Sequence, residues 1–272
     1  MYFEKYHGLG NDFIIFQEKD LIEIKDYQEL AKKVCNRKFG IGADGMIVVA
    51  KSEKAPVFMK FYNADGSIAP MCGNGIRCFA HYIVNNKIVN DKIFKVDTLA
   101  GVLEVDWEMA DKFMVKVYMG EPKFNPKDIP VISEKDEFIL ENFYSNYGDY
   151  KISSLFMGTT HTVLFTKNIE EENIEGVGKE IENSSIFPIK TNVNFVEIKN
   201  LSEIDVNTWE RGAGFTYACG TGCCASVVIA KKFGYVENKV KVNVPGGYMY
   251  VELKDNSVYM IGPSEKICDG NY

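Results

Sequence analysis

The feature that most constrains this fold is a short motif that occurs twice, once in each half of the chain. Cys72-Gly-Asn-Gly-Ile-Arg-Cys-Phe-Ala corresponds to Cys219-Gly-Thr-Gly-Cys-Cys-Ala-Ser-Val. The residues that follow also correspond: Lys95–Gly101 resembles Lys241–Gly247, and the pair after that begins at Tyr118 and Tyr259. Because the three matches keep their order and nearly the same spacing, we expect two similar halves of ordinary domain length.

Each half has the same local pattern around its motif. A Cys-Gly-x-Gly turn precedes an apolar segment with helical periodicity, so we expect a buried helix to begin at each cysteine. Runs of alternating or β-branched residues predict strands. These runs are Phe13–Phe16, Met46–Val49, Val57–Phe61, Thr162–Phe165, Asn194–Ile198 and Tyr248–Leu253.

We therefore predict an α+β fold with two similar, pseudo-symmetric lobes. Each lobe is expected to be a curved, mainly antiparallel sheet around one central helix. The predicted N-terminal lobe is 1–120, joined by 263–272, and the predicted C-terminal lobe is 121–262. The two repeated turns would then face each other across a cleft.

Composition narrows the functional classes. The net charge of -7 argues against nucleic-acid binding, which needs a basic face. No apolar stretch is long enough to suggest a membrane span. The seven cysteines are odd in number, and the first residues contain no apolar signal core. We therefore expect a protein of the reducing cytoplasm that binds a small molecule. A homodimer is expected in addition.

The repeated turn combines an anion site with a reactive thiol. The first turn of a helix carries free N–H groups and a partial positive charge, and glycines let a ligand approach it closely. Such a turn binds carboxylates and stabilises a nearby thiolate. Cys72 and Cys219 are therefore the candidate catalytic residues.

Two such turns suit the inversion of a stereocentre. A base removes the Cα proton on one face and an acid supplies a proton on the other, while the helix N-termini stabilise the carboxylate. We therefore predict a cofactor-independent amino-acid racemase or epimerase. Two alternatives remain: a non-catalytic binder of a small acid, which would not need both cysteines, and a proline or hydroxyproline racemase of the same architecture.

Other chemistries are less well supported. No spacing of the cysteines and three histidines fits a zinc site, so no metal is expected. Gly40-Ile-Gly-Ala-Asp-Gly45 has the spacing of a dinucleotide motif, but a helix pattern precedes it and a strand pattern follows it. Because a dinucleotide site needs the reverse order, we interpret this segment as a turn.

Nearly the whole chain resembles the diaminopimelate epimerase family. The matching segments are His7-Gly-Leu-Gly-Asn11-Asp-Phe, Gly40-Ile-Gly-Ala-Asp-Gly, Phe61-Tyr-Asn63-Ala-Asp-Gly-Ser, Met71-Cys72-Gly-Asn-Gly-Ile-Arg-Cys, Thr191-Asn192-Val, Glu210-Arg211-Gly-Ala-Gly and Ala218-Cys219-Gly-Thr-Gly. The resemblance implies a two-lobed fold with the active site in the cleft between the lobes, and no pyridoxal phosphate or metal. It also implies that Cys72 and Cys219 are the acid–base pair.

The resemblance assigns further roles around the substrate. The backbone N–H groups of Gly73, Asn74, Gly220 and Thr221 would hold the reacting carboxylate. The reacting amino group would contact Asn11 and Glu210. The far end of the substrate would contact Asn63, Asn192 and Arg211.

Two segments depart from the family's usual pattern. Gly158-Thr159-Thr160-His161 stands where the family has Gly-Asn-Pro-His, which places Thr159 and His161 beside the predicted substrate site. Gly214-Phe215-Thr216 stands where the family has Gly-Glu-Thr, and Tyr217 follows it. A lost polar contact and added aromatic surface favour a ring-bearing side chain. We therefore predict a histidine racemase first, with diaminopimelate epimerase as the alternative.

Overall fold

The computed structural model describes all 272 residues and divides into two compact units. The first unit comprises Met1–Tyr118 and Gly262–Tyr272, and the second comprises Met119–Ile261. Both units combine helices with a sheet, so the fold is α+β. No helix has both the length and the apolar character that crossing a membrane requires.

The first unit is built from seven strands, two helices and the end of a long final strand. Its elements are β1 (Tyr2–Gly8), β2 (Asn11–Gln17), α1 (Tyr27–Cys35), β3 (Gly45–Ala50), β4 (Val57–Asn63), α2 (Gly73–Asn85), β5 (Ile93–Thr98), β6 (Gly101–Met109), β7 (Phe113–Gly120) and β16 (Ser257–Asn271). Most neighbouring strands are antiparallel, but β2 pairs with β3 and β4 with β5 in parallel. The end of β16 pairs antiparallel with β1.

The second unit repeats this order of strands and helices. Its elements are β8 (Glu141–Ser145), β9 (Gly148–Phe156), β10 (Thr160–Thr166), α3 (Ile174–Glu182), β11 (Asn192–Asn200), β12 (Glu203–Glu210), β13 (Gly214–Thr216), α4 (Gly220–Lys232), β14 (Lys239–Val244), β15 (Gly247–Lys254) and the beginning of β16. Again only two pairs are parallel, β10 with β11 and β12 with β14. The parallel pairs thus fall at corresponding places in both units.

The two motif helices are buried because of their sequences. Neither α2 nor α4 has an acidic residue in its first turn, and most residues of both are inaccessible to solvent. In the first unit α2 packs against β1 and β2, and in the second α4 packs chiefly against β10 and β11. An apolar helix of this kind is stable only inside a core. Each sheet therefore holds the N-terminus of its helix, and with it the cysteine, in a fixed position.

The strand and helix predictions from sequence are confirmed. The six predicted runs fall within β2, β3, β4, β10, β11 and β15, and the predicted helices are α2 and α4. The segment Gly40–Gly45 connects α1 to β3, which agrees with its interpretation as a turn. Gly42 has a φ of 80°, a conformation that glycine adopts without steric cost.

Candidate active site

Cys72 is the N-cap residue of α2. Its backbone is extended, with φ of -135°, and its Sγ accepts a hydrogen bond from the Gly75 N–H at 3.4 Å. The side chain therefore occupies the place of the serine or aspartate oxygen that usually caps a helix. The sulfur lies directly at the positive end of the helix, where a thiolate is stabilised.

Asn11 lies beside this first cysteine turn. Its Oδ1 is 3.9 Å from Cys72 Sγ and accepts a hydrogen bond from Asn74 Nδ2 at 3.2 Å. Its Nδ2 donates to Asp44 Oδ2 at 2.7 Å, which fixes the orientation of the amide. The structure therefore brings together three predicted site residues, and Asp44 is a supporting residue that the sequence analysis missed.

Asn63 ends β4, where the chain turns before α2. Its Nδ2 donates to Ser67 Oγ at 2.9 Å, and its backbone N–H donates to the Ser67 carbonyl at 2.9 Å. Asn63 is thus part of a tight turn, and its amide oxygen has no role in these two bonds. Asn63 therefore holds the turn that follows β4.

Cys219 is the N-cap residue of α4, at the position that corresponds to Cys72. Its backbone is also extended, and its Sγ lies 3.6 Å from Thr221 Oγ1. The side chain is buried, whereas that of Cys72 is partly accessible. Glycine at 222 is required here, because a Cβ at that position would lie 2.3 Å from Asn194 Oδ1.

A largely buried acidic residue, Glu210, lies next to Cys219 in the second cysteine turn. This residue ends β12, and its Oε1 accepts a hydrogen bond from Thr216 Oγ1 at 2.6 Å. Burial raises the pKa of the Glu210 carboxyl, while hydrogen bonds from Thr216 and Cys219 oppose the rise. Burial, and then the nearby Glu210 carboxylate, raise the pKa of the Cys219 thiol well above its ordinary value. Without substrate, Cys219 is therefore a thiol.

A chain of hydrogen bonds connects the core of the second unit to Cys219. Asn194 Nδ2 lies 3.2 Å from His161 Nδ1, and His161 Nε2 lies 2.9 Å from Thr221 Oγ1. Asn194 also donates to the Thr162 carbonyl at 3.0 Å and accepts from Thr208 Oγ1 at 3.1 Å, which sets the orientation of its amide.

The Asn194 amide determines which atom is the donor in each hydrogen bond of this chain. Because Asn194 donates to Nδ1, the proton of neutral His161 is on Nε2 and is donated to Thr221. The Thr221 hydroxyl proton is then directed to Cys219 Sγ. Burial lowers the pKa of His161 to about 3, with a smaller effect from Arg211, so the ring stays neutral near pH 7.

We expect Thr221→Val to lower kcat about tenfold or more, because the Cys219 thiolate loses one donor and a hydrogen bond to a charged group contributes about 1.5–3 kcal/mol. Stabilisation of the thiolate by this donor keeps the pKa of Cys219 below what burial alone would set. The limb of the pH–rate profile that reports Cys219 should therefore move to higher pH. The measurement is kcat as a function of pH.

Thr221→Ser is the matched control, since it keeps the hydroxyl and the backbone N–H groups. If the valine and serine variants have the same kcat and the same pH profile, the Thr221 hydroxyl does not act on Cys219. Both variants should retain the thermal stability of the parent within a few degrees.

Asn192 and Arg211 lie together in the second unit. Asn192 Oδ1 accepts from the Arg211 backbone N–H at 2.8 Å, and its Nδ2 donates to the Thr160 carbonyl at 3.2 Å. Arg211 Nη1 donates to the Ile189 carbonyl at 2.7 Å. Asn192 therefore supports the chain around Arg211, while the remaining guanidinium donors of Arg211 can bind an anion.

The residues that depart from the family's pattern, Thr159, Phe215 and Tyr217, differ in their exposure to solvent. Thr159 lies between β9 and β10 and is partly buried, and its carbonyl accepts from the Met157 N–H at 2.9 Å. Phe215 in β13 is 49% exposed, and Tyr217 is 65% exposed. Rings this accessible do not form an enclosed apolar wall, which weakens the expectation of a ring-bearing substrate.

Sequence reasoning missed three polar residues that support the cysteine turns. Asp44 orients Asn11, while Asn194 and Thr208 fix the hydrogen bonds of His161. Asn194 and Thr208 are buried, and their partners are on other strands. Polar residues inside otherwise apolar strands were the signal that could have identified them.

Each unit thus presents a helix capped by a cysteine, next to a carboxylate or amide side chain and the N–H groups of the first helical turn. These features define the class of racemases and epimerases that use two cysteines, and the protein is an isomerase. A sequence model described as diaminopimelate epimerase matches residues 3–125 and 153–267. The chain belongs to the diaminopimelate epimerase family.

Relatives over the full length support this assignment. The chain is 46% identical to the diaminopimelate epimerase of Caldanaerobacter subterraneus subsp. tengcongensis, with 99% of this chain and 98% of that protein aligned. It is also 46% identical to the diaminopimelate epimerase of Clostridium perfringens, with 100% and 99% aligned. These relatives favour diaminopimelate over histidine as the substrate, contrary to the order predicted from sequence.

A solved structure shows the same fold at low sequence identity. The hydroxyproline epimerase of Agrobacterium vitis superposes with a TM-score of 0.70 at 12% identity, over 99% of this chain and 91% of that one. At this identity the similarity concerns the fold alone.

Proposed function

We propose that the protein interconverts LL- and meso-diaminopimelate by moving the Cα proton between Cys72 and Cys219. The observation that carries the proposal is the pair of helix N-termini, each capped by a cysteine at the corresponding residue. The names of the full-length relatives support diaminopimelate as the substrate.

The reacting carboxylate is bound by backbone donors from both turns. The N–H groups of Gly73 and Asn74 belong to the first turn of α2, and those of Gly220 and Thr221 to the first turn of α4. These first-turn N–H groups point out of the N-terminus of each helix and suit the negative charge that grows on the carboxylate as the Cα–H bond breaks. This function requires the two turns to face opposite sides of one bound carbon, across a cleft between the lobes.

The proton transfer balances without another reactant. A thiolate on one side takes the Cα proton, and the electron pair moves toward the carboxylate. A thiol on the other side then gives its proton to Cα and becomes the thiolate. No pyridoxal phosphate or metal is needed in this scheme.

The amino group and the far end of the substrate bind to separate sets of side chains. Asn11 and Glu210 hold the reacting ammonium group, whose positive charge offsets the buried Glu210 carboxylate. Asn63, Asn192 and Arg211 bind the second amino-acid centre. The planar guanidinium of Arg211 suits a carboxylate, which it can bind through two parallel hydrogen bonds.

The choice of diaminopimelate rests on this last contact. Histidine has a single carboxylate, so it would leave the donors of Arg211 without an anionic partner. A site built around a polar group rejects analogues that lack the group by large factors. The exposure of Phe215 and Tyr217 removes the main reason for preferring a ring.

The test compares LL-diaminopimelate with L-histidine in D2O. We expect Cα deuteration and formation of the meso isomer with the first substrate, and at least about a hundredfold lower kcat/KM with the second. Proton NMR follows the exchange, and chiral chromatography follows the product. Preference for L-histidine would contradict the substrate assignment, whereas no exchange with any amino acid would contradict the isomerase chemistry.

We also propose that the functional lobes are 1–120 with 263–272 and 121–262, and that the protein acts as a homodimer in the cytoplasm. Sedimentation of the purified protein measures its oligomeric state directly. A single species with the mass of one chain would contradict the dimer.

A further inference from the structure

Arg77 is a charged residue in the second turn of α2 whose side chain is 0% exposed. The residues next to it in sequence, Ile76 and Cys78, are apolar or small, and the proposed chemistry gives Arg77 no contact with the substrate. Burial of a charge is costly unless the charge is hydrogen-bonded. Its position therefore needs a physical reason.

The guanidinium of Arg77 donates hydrogen bonds to backbone carbonyls in two elements, α2 and β16. Arg77 Nη1 donates to the carbonyl of Gly73, the residue after Cys72, at 3.2 Å. Arg77 Nε donates to the carbonyl of Pro263, in β16, at 3.1 Å. One side chain thus ties the first cysteine turn to the strand that completes its unit.

Two glycines make room for this guanidinium. A Cβ at Gly8 would lie 2.9 Å from Arg77 Nη2, and a Cβ at Gly262 would lie 3.0 Å from Nε. Gly8 ends β1 and precedes the turn that carries Asn11. The guanidinium therefore lies where the Asn11 turn, the Cys72 turn and β16 come together.

The positive charge of Arg77 acts on the Cys78 thiol, which follows it in α2. Burial raises the pKa of the Cys78 thiol to about 12, and a hydrogen bond with Ser264 and the positive charge of Arg77 both oppose the rise. Arginine keeps its proton under all ordinary conditions. Its charge is therefore a permanent addition to the positive end of α2, where Cys72 is the cap.

The second cysteine turn has no basic residue at the corresponding position. The residue of α4 that corresponds to Arg77 is Cys224, which is buried and uncharged as a thiol. The charged group that acts on Cys219 is the carboxylate of Glu210, which disfavours a thiolate. The buried cation Arg77 thus lies in the helix that Cys72 caps, whereas the carboxylate of Glu210 acts on Cys219.

We propose that Arg77 is a positioning residue that keeps Cys72 as the thiolate of the substrate-free protein, so that Cys72 is the base and Cys219 the acid in a first turnover on the epimer whose Cα hydrogen faces Cys72. Its catalytic consequence rests on the proposed function. In that first turnover Cys72 takes the Cα proton and Cys219 gives its own. The product leaves Cys72 protonated and Cys219 ionised, and exchange with water restores the resting state.

The test measures the alkylation rate of Cys72 by iodoacetamide as a function of pH, with the modified peptide quantified by mass spectrometry. All variants carry Cys268→Ser, because Cys268 is exposed and would consume reagent. In Arg77→Met we expect the rate at pH 7 to fall about tenfold, since only the thiolate reacts. Arg77→Lys keeps the charge but not the planar fork, so its rate should fall less, by about threefold.

Gly262→Ala keeps the positive charge of Arg77 but shifts the guanidinium. The added methyl group would lie 3.0 Å from Nε, so the guanidinium must shift by a few tenths of an ångström and its hydrogen bond to Pro263 weakens. We therefore expect a rate between those of the parent and Arg77→Met. A purely structural role for Arg77 would lower the melting temperature but leave the pH profile of alkylation unchanged. A parent-like pH profile of alkylation in Arg77→Met would overturn the proposal. If the methionine variant does not fold, parent-like profiles in both Arg77→Lys and Gly262→Ala would overturn it.

The readout separates this proposal from the proposed function. Alkylation needs no substrate, so it reports the ionisation of Cys72 even in a protein that inverts no amino acid. Conversely, an unchanged alkylation profile would leave the isomerase activity and its two cysteines unaffected.

Discussion

Cys72→Ser and Cys219→Ser are each expected to lower kcat by about 10²- to 10⁴-fold, the range contributed by a positioned general acid or base. A serine hydroxyl keeps the size and hydrogen-bonding capacity of the thiol, but it does not ionise near neutral pH. Both directions of the reaction should be affected, because each cysteine is the base in one direction and the acid in the other. The measurement is kcat and KM in both directions.

Two other cysteines provide matched controls for these substitutions. Cys268→Ser changes an exposed thiol and should keep the parent kcat. Cys78→Ser changes a thiol in α2 that is fully buried and should affect stability more than kcat. A double variant, Cys72→Ser with Cys219→Ser, that still inverts its substrate near the parent rate would show that the proposed mechanism is wrong.

Gly222→Ala should abolish most activity, with an expected fall of at least about a hundredfold, because the loss of preorganised donors at a developing charge costs about 10²–10³ in kcat. The added Cβ would lie 2.3 Å from Asn194 Oδ1, 3.2 Å from Cys219 Cβ and 3.2 Å from Thr208 Oγ1. Because Asn194 is buried and hydrogen-bonded, it cannot move without breaking the chain to His161. The first turn of α4 must move instead, and its N–H groups move with it.

Gly75→Ala is the matched control, since it makes the same change at the corresponding residue of α2. There the added Cβ would lie 3.2 Å from Cys72 Cβ and 3.3 Å from Met59 Cε. The end of a methionine side chain is flexible and can give way. We therefore expect a smaller fall in kcat for Gly75→Ala, and equal effects of the two substitutions would contradict the difference that the packing predicts.

Periodicity and the internal repeat predicted much of the fold. The runs that became β3 and β10 alternate or are β-branched, and the segments after Cys72 and Cys219 are apolar at helical spacing, so both signals are local. The two parallel pairings in each unit were not predictable in this way. They bring together strands separated by helices, and no local pattern specifies which strands pair.

Cys72 and Cys219 could be proposed as the catalytic pair from sequence because the chemistry needs a Gly-flanked turn, which is continuous in sequence. The supporting groups could not be proposed in this way, since Asn194 and Thr208 act through hydrogen bonds between strands. The relatives favour the alternative substrate, diaminopimelate, over histidine, which was predicted first. The departure from the family's pattern places two aromatic residues near Cys219, but only coordinates show that Phe215 and Tyr217 are largely accessible.

The path of β16 has a consequence for how the chain folds as it is made. Its residues Glu265–Asn271 pair with Tyr2–His7 of β1, and the ribosome adds them only after the whole second unit. Until then one edge of β1 lacks its partner strand, and the Pro263 carbonyl that accepts from Arg77 does not yet exist. An unpaired strand edge promotes aggregation. The first unit, although it is synthesised first, is completed last and therefore needs protection from aggregation for the longest time.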